Sequence, residues 1–202
     1  MAKVVSTLFI SLDGVAEVDP AWHFPYFDER MGAVVDEDYT DVDVLVLGRV
    51  TYDSFAGAWP GREQAGGEDA AFAAQLGDVR KVVATRGDQD LGWRNVERTA
   101  DVVATVQSLK DDPAIDKILL AGSISIVRQL LAAGLLDEIS LLVHPVAARS
   151  GERLFGEAET VQPLALLRSE ALPTGVMHLV YAPAELPNAN TYDDVKENLA
   201  EV

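Results

Sequence analysis

The feature that most constrains this chain is a short apolar run that ends at a glycine and an arginine. Residues Val44–Leu47 are all apolar, and Gly48-Arg49 follows directly. A strand with one solvated face alternates apolar and polar residues. An unbroken apolar run is instead typical of a parallel strand that helices cover on both sides. We therefore predict a buried strand over Val42–Leu47 and a short helix from about Val50.

The same order of strand, tight turn and helix recurs along the chain. Lys3–Leu12 predicts a strand that ends in an Asp-Gly turn, and Lys117–Ala121 predicts one that leads through Gly122-Ser123 into a helix. Repeated units of this kind indicate an α/β domain with parallel strands. The remaining predicted elements of this part are a strand over Lys81–Ala84, helices over Pro25–Tyr39, Asp69–Leu76, Asp101–Leu109 and Ile124–Ala133, and a loop over Gly61–Gly67.

The pattern changes in the last third of the chain. Strands are predicted over Ile139–Val143, Gln162–Ala171 and Val176–Tyr181, and the last two are joined by a hairpin loop at Leu172–Gly175. The fold class is therefore α/β, with a mostly parallel mixed sheet and an antiparallel C-terminal edge. We predict one domain over residues 1–182, followed at 183–202 by a linker and a short acidic tail with a helix over Tyr192–Ala200.

Composition excludes several classes of function. The chain has no cysteine and only three histidines, which are far apart in sequence, so disulfides, thiolate chemistry and a metal site are not expected. The net charge of −17 disfavours nucleic acid as a partner. No apolar run approaches the ~18 residues of a membrane span, and no secretory leader is recognisable. These observations predict a cytoplasmic protein with a small-molecule substrate.

Three turns follow predicted parallel strands and so lie at one edge of the sheet, where ligands of α/β proteins bind. They are Gly48-Arg49, Ala84–Arg86 and Gly122-Ser123. Gly48 permits close approach to the backbone, Arg49 supplies a fork of donors, and Thr51 adds a hydroxyl, which together would suit a phosphate. The alternative is a plain turn with a surface arginine and a capping threonine. The chain's acidity favours a specific use for its few basic residues.

A second candidate region follows the first strand. Asp13 lies at its turn, and Trp22–Phe27 combines aromatic residues with His23. Trp22, Tyr26 and the more distant Trp59 would line a pocket for a flat ring, and Asp13 and His23 are candidate catalytic residues. The alternative is that these aromatic residues belong to the core or to an interface, that Asp13 only forms the turn, and that His23 is structural.

The order and spacing of these motifs resemble the dihydrofolate-reductase-like family that includes the reductase domain of riboflavin biosynthesis, and its stand-alone bacterial members in particular. The resemblance covers about residues 3–182. The motifs that carry it are Ser11–Gly14, Trp22–Phe27, Leu47–Tyr52, Lys81–Arg86, Gly122-Ser123, Leu130–Ile139, His144-Pro145 and Gly151–Phe155.

The resemblance implies a three-layer α/β/α fold, NADPH as hydride donor and a homodimer. It places Asp13 near the substrate side. By position it assigns the cofactor as follows: Val15 and Ala16 beside the nicotinamide; Gly48, Arg49 and Thr51 on the phosphates; Ala84, Thr85 and Arg86 by the adenosine and its 2′-phosphate; and Gly122, Ser123 and Ile124 under the pyrophosphate.

The sequence also departs from the family pattern. Ala84 stands where members often have serine, Ala121 stands where a second glycine is common, and the helix carboxylate that binds a pterin has no counterpart. Folate reduction is therefore not expected. The leading hypothesis is an NADPH-dependent reductase of a small planar or carbonyl- or imine-containing molecule. The alternatives are the reductase that acts on 5-amino-6-(5-phosphoribosylamino)uracil and a dimeric nucleotide-binding module without catalytic activity.

Overall fold

The computed structural model describes residues 1–156 and 161–186. Within these ranges, eight strands form one sheet in the order β4-β3-β2-β5-β1-β6-β8-β7. The strands are β1 (Lys3–Ser11), β2 (Val44–Gly48), β3 (Arg80–Ala84), β4 (Val96–Thr99), β5 (Lys117–Leu120), β6 (Glu138–His144), β7 (Leu164–Ala171) and β8 (Met177–Pro183).

The described helices lie on both faces of this sheet. Val106 of α5 and Leu130 of α6 pack into the core on one face, whereas Tyr39 of α2, Tyr52 of α3 and Leu76 of α4 pack on the other. The predicted three-layer arrangement is confirmed. The helices are α1 (Pro20–His23), α2 (Glu29–Tyr39), α3 (Arg49–Ala65), α4 (Ala70–Asp78), α5 (Val102–Asp111) and α6 (Ile124–Ala132), and a single 3₁₀ turn spans Phe24–Tyr26.

Strand direction follows the predicted division of the chain. From β4 to β6 every neighbouring pair is parallel, while β8 runs antiparallel to β6 and β7 antiparallel to β8. The apolar run Val44–Leu47 lies in central strand β2, and its residues are at most 1% exposed. The predicted fold class is confirmed. Because the strands from β4 to β6 are parallel, their carboxyl ends meet at one edge of the sheet.

The helix after β2 is longer than predicted. It continues to Ala65, so the loop predicted over Gly61–Gly67 is wrong for its first five residues. Pro60 lies inside this helix, where it removes one backbone hydrogen bond without ending the helix. The last turns are held from outside, because Arg94 donates to both carboxylate oxygens of Glu63 at 2.7 and 2.9 Å.

Two other elements differ from the prediction. Helix α2 begins at Glu29 rather than Pro25, because the Asp28 carboxylate accepts from the backbone N–H of Met31 at 2.8 Å and caps the helix there. Strand β4 was not predicted. It is the edge strand, and its sequence Val-Glu-Arg-Thr has no apolar pattern because both of its central side chains are exposed.

The C-terminal segment is described only in part. Strand β8 reaches Pro183, and the predicted helix over Tyr192–Ala200 lies outside the described residues. The domain boundary near 182 therefore stays a prediction. Among the helices that the structure describes, none is long and apolar enough to cross a bilayer.

Candidate functional site

A cleft of about 550 Å³ opens at the carboxyl ends of β2, β3 and β5. We call it the carboxyl-edge cleft. Three chain segments that the sequence analysis singled out, Gly48-Arg49, Ala84–Arg86 and Ser123, meet in its wall. Its lining residues are Gly48, Arg49, Val50, Ala84, Thr85, Arg86, Ala100, Asp101, Val102, Ser123, Ser125, Ile126 and Gln129.

The floor of the cleft is a close contact between two turns. A Cβ atom at position 48 would lie only 2.5 Å from the Cβ of Ser123 and 2.7 Å from its Oγ. Gly48 has φ −75°, which any residue adopts, so it is the lack of a side chain that matters here. Next to this contact, the Thr51 hydroxyl lies 3.5 Å from the place where a side chain on Gly122 would begin. The Gly122–Ser123 peptide is cis, and Ile124 is buried in the core.

Two helices begin at this contact without a side-chain cap. Gly48 precedes α3 and has no side chain to cap it, while the Ser123 hydroxyl before α6 bonds to the Ser125 hydroxyl at 2.9 Å instead of to the helix. The first N–H groups of an uncapped helix lack partners and carry the positive end of its dipole. Two such termini side by side form a suitable place for an anion. The nearby start of α5 is different, because Asp101 caps it at 3.0 Å.

Two arginines add positive charge to the cleft. Arg49 Nε bonds to both carboxylate oxygens of Asp53 at 2.9 Å, which holds the guanidinium and leaves its two Nη groups without a partner in the described part of the chain. Arg86 is exposed and forms no ion pair within residues 1–156 and 161–186. Both can donate to a phosphate. The role of the predicted residues in cofactor binding stays a prediction, but most of them do lie together.

Asp13 is tied into a loop. Its carboxylate accepts from the Ser11 hydroxyl at 2.6 Å and from the backbone N–H groups of Ala148 and Arg149 at 2.9 Å each. The Ser11 hydrogen bond, followed by the one from Arg149, lowers the pKa of Asp13 to about 2. The group is ionised at neutral pH and has no proton to donate. This geometry favours a role in holding the loop in place over the predicted catalytic one.

Val15 and Ala16 belong to the β1 loop, residues 12–17, which pairs with the β6 loop, residues 145–156. Val15 forms a β-bridge with Arg153, and the Ala16 N–H donates to the Glu152 carbonyl at 2.8 Å. Both side chains are buried. The Val15 N–H and carbonyl both bond to Ser11, the last residue of β1. The Ala16 carbonyl is therefore the one backbone polar group of Val15 and Ala16 that bonds to no other described residue.

His23 pairs with His144 inside an aromatic cluster. His144 Nδ1 lies 3.0 Å from the Leu142 carbonyl and must donate to it, so in the neutral ring its Nε2 accepts from His23 Nδ1 at 3.1 Å. Burial, together with the neighbouring His144, lowers the pKa of His23 to about 4. His23 is therefore neutral near pH 7 and engaged with His144. This disfavours its predicted role as a proton donor.

The predicted aromatic residues divide between two places. The rings of Trp22 and Tyr26 lie 5.1 and 5.9 Å from the His144 ring, so both belong to the aromatic cluster around His23 and His144. Trp59 does not. It packs on Phe72 between α3 and α4, with its ring centroid 5.2 Å away, and Arg62 covers it at 4.8 Å. The structure does not bring Trp59 to the carboxyl-edge cleft, because its helix turns that side chain towards the hydrophobic core.

The sequence of this chain matches a known protein family. The profile described as "RibD C-terminal domain" matches residues 2–178. The chain belongs to the RibD C-terminal domain family. The resemblance that the sequence motifs predicted is confirmed.

The chain is similar to proteins of several bacteria. The uncharacterized protein YyaP of Bacillus subtilis is 25% identical over 184 residues, which is 89% of this chain and 94% of YyaP. The putative riboflavin biosynthesis protein from Shewanella sp. PV-4 aligns with TM-score 0.68 and 19% identity over 92% of this chain and all of that one. RibD of Acinetobacter baumannii aligns with TM-score 0.65 and 15% identity over 91% of this chain and 58% of RibD. The solved structures establish the dihydrofolate-reductase-like fold.

Part of the carboxyl-edge cleft is formed by residues that the sequence did not predict as site residues. Asp101 was recognised only as a helix cap, because unpredicted β4 gave no sign that its carboxyl end reaches the same edge. Ser125 and Gln129 of α6 were also missed. Ser125 and Gln129 are four residues apart, so helical spacing predicts that they share one face of α6. The described residues contain no cluster of His, Asp or Glu side chains suited to a metal ion.

Proposed function

We propose that this chain is an NADPH-dependent reductase of a small planar or carbonyl- or imine-containing molecule. One observation carries the proposal: the uncapped N-termini of α3 and α6 meet where Gly48 contacts Ser123, in a cleft that also holds Arg49 and Arg86. A dinucleotide with a 2′-phosphate presents two separate anionic groups, and this cleft offers two separate positive regions.

The residues present fit such a cofactor. Gly48 lets its turn approach Ser123 closely, since a side chain there would collide with that serine. The free N–H groups of the two helices that begin at this contact, with Arg49, would hold the pyrophosphate. Thr85 Oγ1 accepts from the Gly87 N–H at 3.1 Å, which orients its own hydrogen for a ligand, and Arg86 would bind the 2′-phosphate. When bound, NADPH supplies the hydride.

The β1 loop and the aromatic cluster around His23 and His144 would lie on the side of the cofactor where the hydride acceptor binds. The Ala16 carbonyl would accept from the carboxamide of the nicotinamide, and Trp22 and Tyr26 would contact a flat ring. Neither Asp13, which is ionised, nor His23, which is neutral, carries a proton to donate at neutral pH. The proton therefore comes from water. The protein contributes orientation and a site that restricts solvent.

Family membership favours one specific alternative substrate, 5-amino-6-(5-phosphoribosylamino)uracil. Its ribose phosphate requires a second anion site near the aromatic cluster. Arg30 is the basic residue nearest to Trp22–Phe27 in sequence, and it is fully engaged: it bonds to both oxygens of Glu170 at 2.7 and 2.8 Å and to Glu37 at 2.8 Å. This arrangement favours an uncharged substrate over the phosphorylated pyrimidine.

Binding tests the proposal first. NADPH is titrated against the wild-type protein while the fluorescence of the reduced nicotinamide is followed. We expect a sub-millimolar Kd, and we expect Arg49→Ala to weaken it by about tenfold, since a charged hydrogen bond contributes on the order of 1.5–3 kcal/mol. Arg80→Ala is the control, because Arg80 pairs with Glu97 at the opposite end of β3. Absence of binding, or no effect of Arg49→Ala, would overturn the proposal.

Turnover tests it second. Loss of the reduced-nicotinamide absorbance is followed with a panel of carbonyl, quinone, imine and pterin compounds, together with the phosphoribosylamino-pyrimidine. Oxidation of NADPH with an uncharged compound supports the proposal. Oxidation with the phosphorylated pyrimidine alone supports the alternative substrate. Binding without turnover on the whole panel assigns the chain as a nucleotide-binding module.

A further inference from the structure

We propose that Arg128 is a positioning residue. It fixes the β1 loop relative to the part of the carboxyl-edge cleft around Gly48 and Ser123, where the pyrophosphate would bind. The inference rests on the proposed function, because it concerns how the nicotinamide is placed once the phosphates are bound. Arg128 lies on α6, was not among the residues predicted from the sequence, and does not line the cleft.

All three nitrogens of the Arg128 guanidinium are bound to the β6 loop. Nε donates to the Leu154 carbonyl at 2.9 Å, one Nη donates to the Arg153 carbonyl, and the other pairs with Glu152 Oε1 at 2.8 Å. Three donors in one rigid plane thus hold three consecutive residues. Since each nitrogen of this group is bound to residues 152–154 and Arg128 does not line the cleft, we expect any effect of Arg128 on the reaction to pass through those residues.

Those same residues hold the β1 loop in place. The Glu152 carbonyl accepts from the N–H groups of Ala16 and Glu17 at 2.8 and 3.2 Å, and the Leu154 N–H donates to the Gly14 carbonyl at 2.9 Å. A further hydrogen bond runs in the opposite direction, because the side chain of Glu17 accepts from the Glu152 N–H at 2.9 Å. The segment that Arg128 binds therefore holds the β1 loop, in addition to the contacts of Asp13 with residues 148 and 149.

The other end of this connection is the Gly122-Ser123 turn, where the pyrophosphate would bind. Ser123, which touches Gly48 in the floor of the cleft, immediately precedes α6, and Arg128 follows it by five residues on the same helix. At 1.5 Å per residue this separation is only about 7 Å along a rigid element. About one and a half helical turns thus connect the turn that would hold the pyrophosphate with the residue that binds the β6 loop, against which the β1 loop packs.

This connection predicts a specific division of binding energy. Without Arg128, the phosphate groups of a cofactor still find Arg49 and the helix termini, which Arg128 does not touch. The β1 loop, however, is no longer fixed in position relative to α6. The nicotinamide is therefore no longer held at a fixed distance from the phosphates. The affinity that the nicotinamide adds to the rest of the molecule is therefore expected to disappear.

The test compares two probes on the full chain. NADPH and 2′-phospho-ADP-ribose share the adenosine, the 2′-phosphate and the pyrophosphate, and only NADPH carries the nicotinamide. Their Kd values are measured by calorimetry for wild type, Arg128→Gln, Arg128→Lys and the control Arg80→Gln, which removes an exposed arginine that begins β3 and pairs with a single glutamate. Emission of bound NADPH reports the surroundings of the nicotinamide independently.

We expect wild type and Arg80→Gln to bind NADPH about tenfold more tightly than 2′-phospho-ADP-ribose, a ratio within the usual range of coupling between sites. Arg128→Gln is expected to remove that ratio while changing the Kd of 2′-phospho-ADP-ribose by less than about threefold, and to shift the emission of bound NADPH towards its free value. Arg128→Lys is not expected to restore the ratio, because an ammonium cannot match the three acceptors.

Other outcomes would contradict the positioning role of Arg128. If Arg128→Gln weakens both probes equally, or neither, the positioning role is overturned while the proposed function stands. If wild type binds neither probe, the proposed function fails and the inference fails with it. Should Arg128→Gln not fold, Glu152→Gln, which removes a single ion pair, must reduce the ratio for the proposal to stand.

Discussion

A side chain at Gly48 would collide with Ser123, because its Cβ would lie 2.5 Å from the Cβ of that serine. The two residues belong to turns far apart in sequence, yet their contact forms the floor of the carboxyl-edge cleft. It also sets α3 and α6 side by side with both N-termini uncapped. The glycine is required by this close approach rather than by its own backbone conformation.

Replacing Gly48 with alanine therefore tests the cleft directly. The added methyl group must push Ser123 and the start of α6 away, at a cost of about 1–3 kcal/mol in the free energy of unfolding. We expect NADPH affinity to fall at least about tenfold in titrations of the folded protein. The matched control is Gly57→Ala in the same helix, where nothing lies within 4 Å of the new side chain. That variant should raise stability by about 0.5–1 kcal/mol and leave binding unchanged.

Arg86 is expected to select between cofactors. It lies in the cleft after the end of β3, and β2 separates β3 from β5, the strand that leads into α6. A contact with the 2′-phosphate affects NADPH but not NADH, which lacks that group. Arg86→Ala should weaken NADPH by about tenfold and leave the Kd of NADH within about twofold, measured by fluorescence titration. An equal loss for both cofactors would contradict this assignment and place Arg86 on a shared phosphate.

The His23–His144 pair makes stability depend on pH in one direction. His23 has its pKa lowered to about 4 by burial, so between its ordinary value of 6.5 and about 4 the unfolded chain binds more protons than the folded one. Stability from this group is complete above 6.5 and is lost as pH falls through that window. Burial also lowers the pKa of His144, which acts in the same sense.

Urea unfolding at about pH 7 and about pH 5 measures this effect. For His23 alone the linkage relation gives a loss of about 2 kcal/mol between those two values. Carboxylates also titrate near the lower pH, so the comparison is with His23→Phe, in which a phenyl ring takes the place of the imidazole beside Phe9. The variant should lose less stability than wild type on acidification. An identical loss in both proteins would show that His23 does not titrate in this way.

The homodimer stays a prediction, and β7 is the surface that favours it. This edge strand exposes Leu166 and Leu167 by 54% and 52%, and Met177 of β8 beside it by 38%. An apolar edge strand tends to pair or to be covered. We expect sedimentation velocity to give the mass of two chains, and Leu166→Glu with Leu167→Glu to give one chain with unchanged circular dichroism. A monomeric wild type would contradict the prediction.

Much of the fold could be predicted because it depends on patterns within single segments. The unbroken apolar run Val44–Leu47 indicated a strand covered on both faces, and it is one. Strand β4 could not be predicted in the same way, since an edge strand with both central side chains exposed has no apolar pattern. The end of α3 was also missed, because it depends on the ion pair between Glu63 and Arg94, which lie 31 residues apart.

For the site, the sequence determined which residue types stand at the ends of the parallel strands, because β–turn–α order is local and parallel strands share an edge. It did not determine what each side chain contacts. Only the tertiary structure decided that Gly48 lies against Ser123, that Trp59 packs in the core, and that Arg128 binds the loop that holds Ala16. Such contacts join segments far apart in the chain, and their distances follow from how helices pack on the sheet.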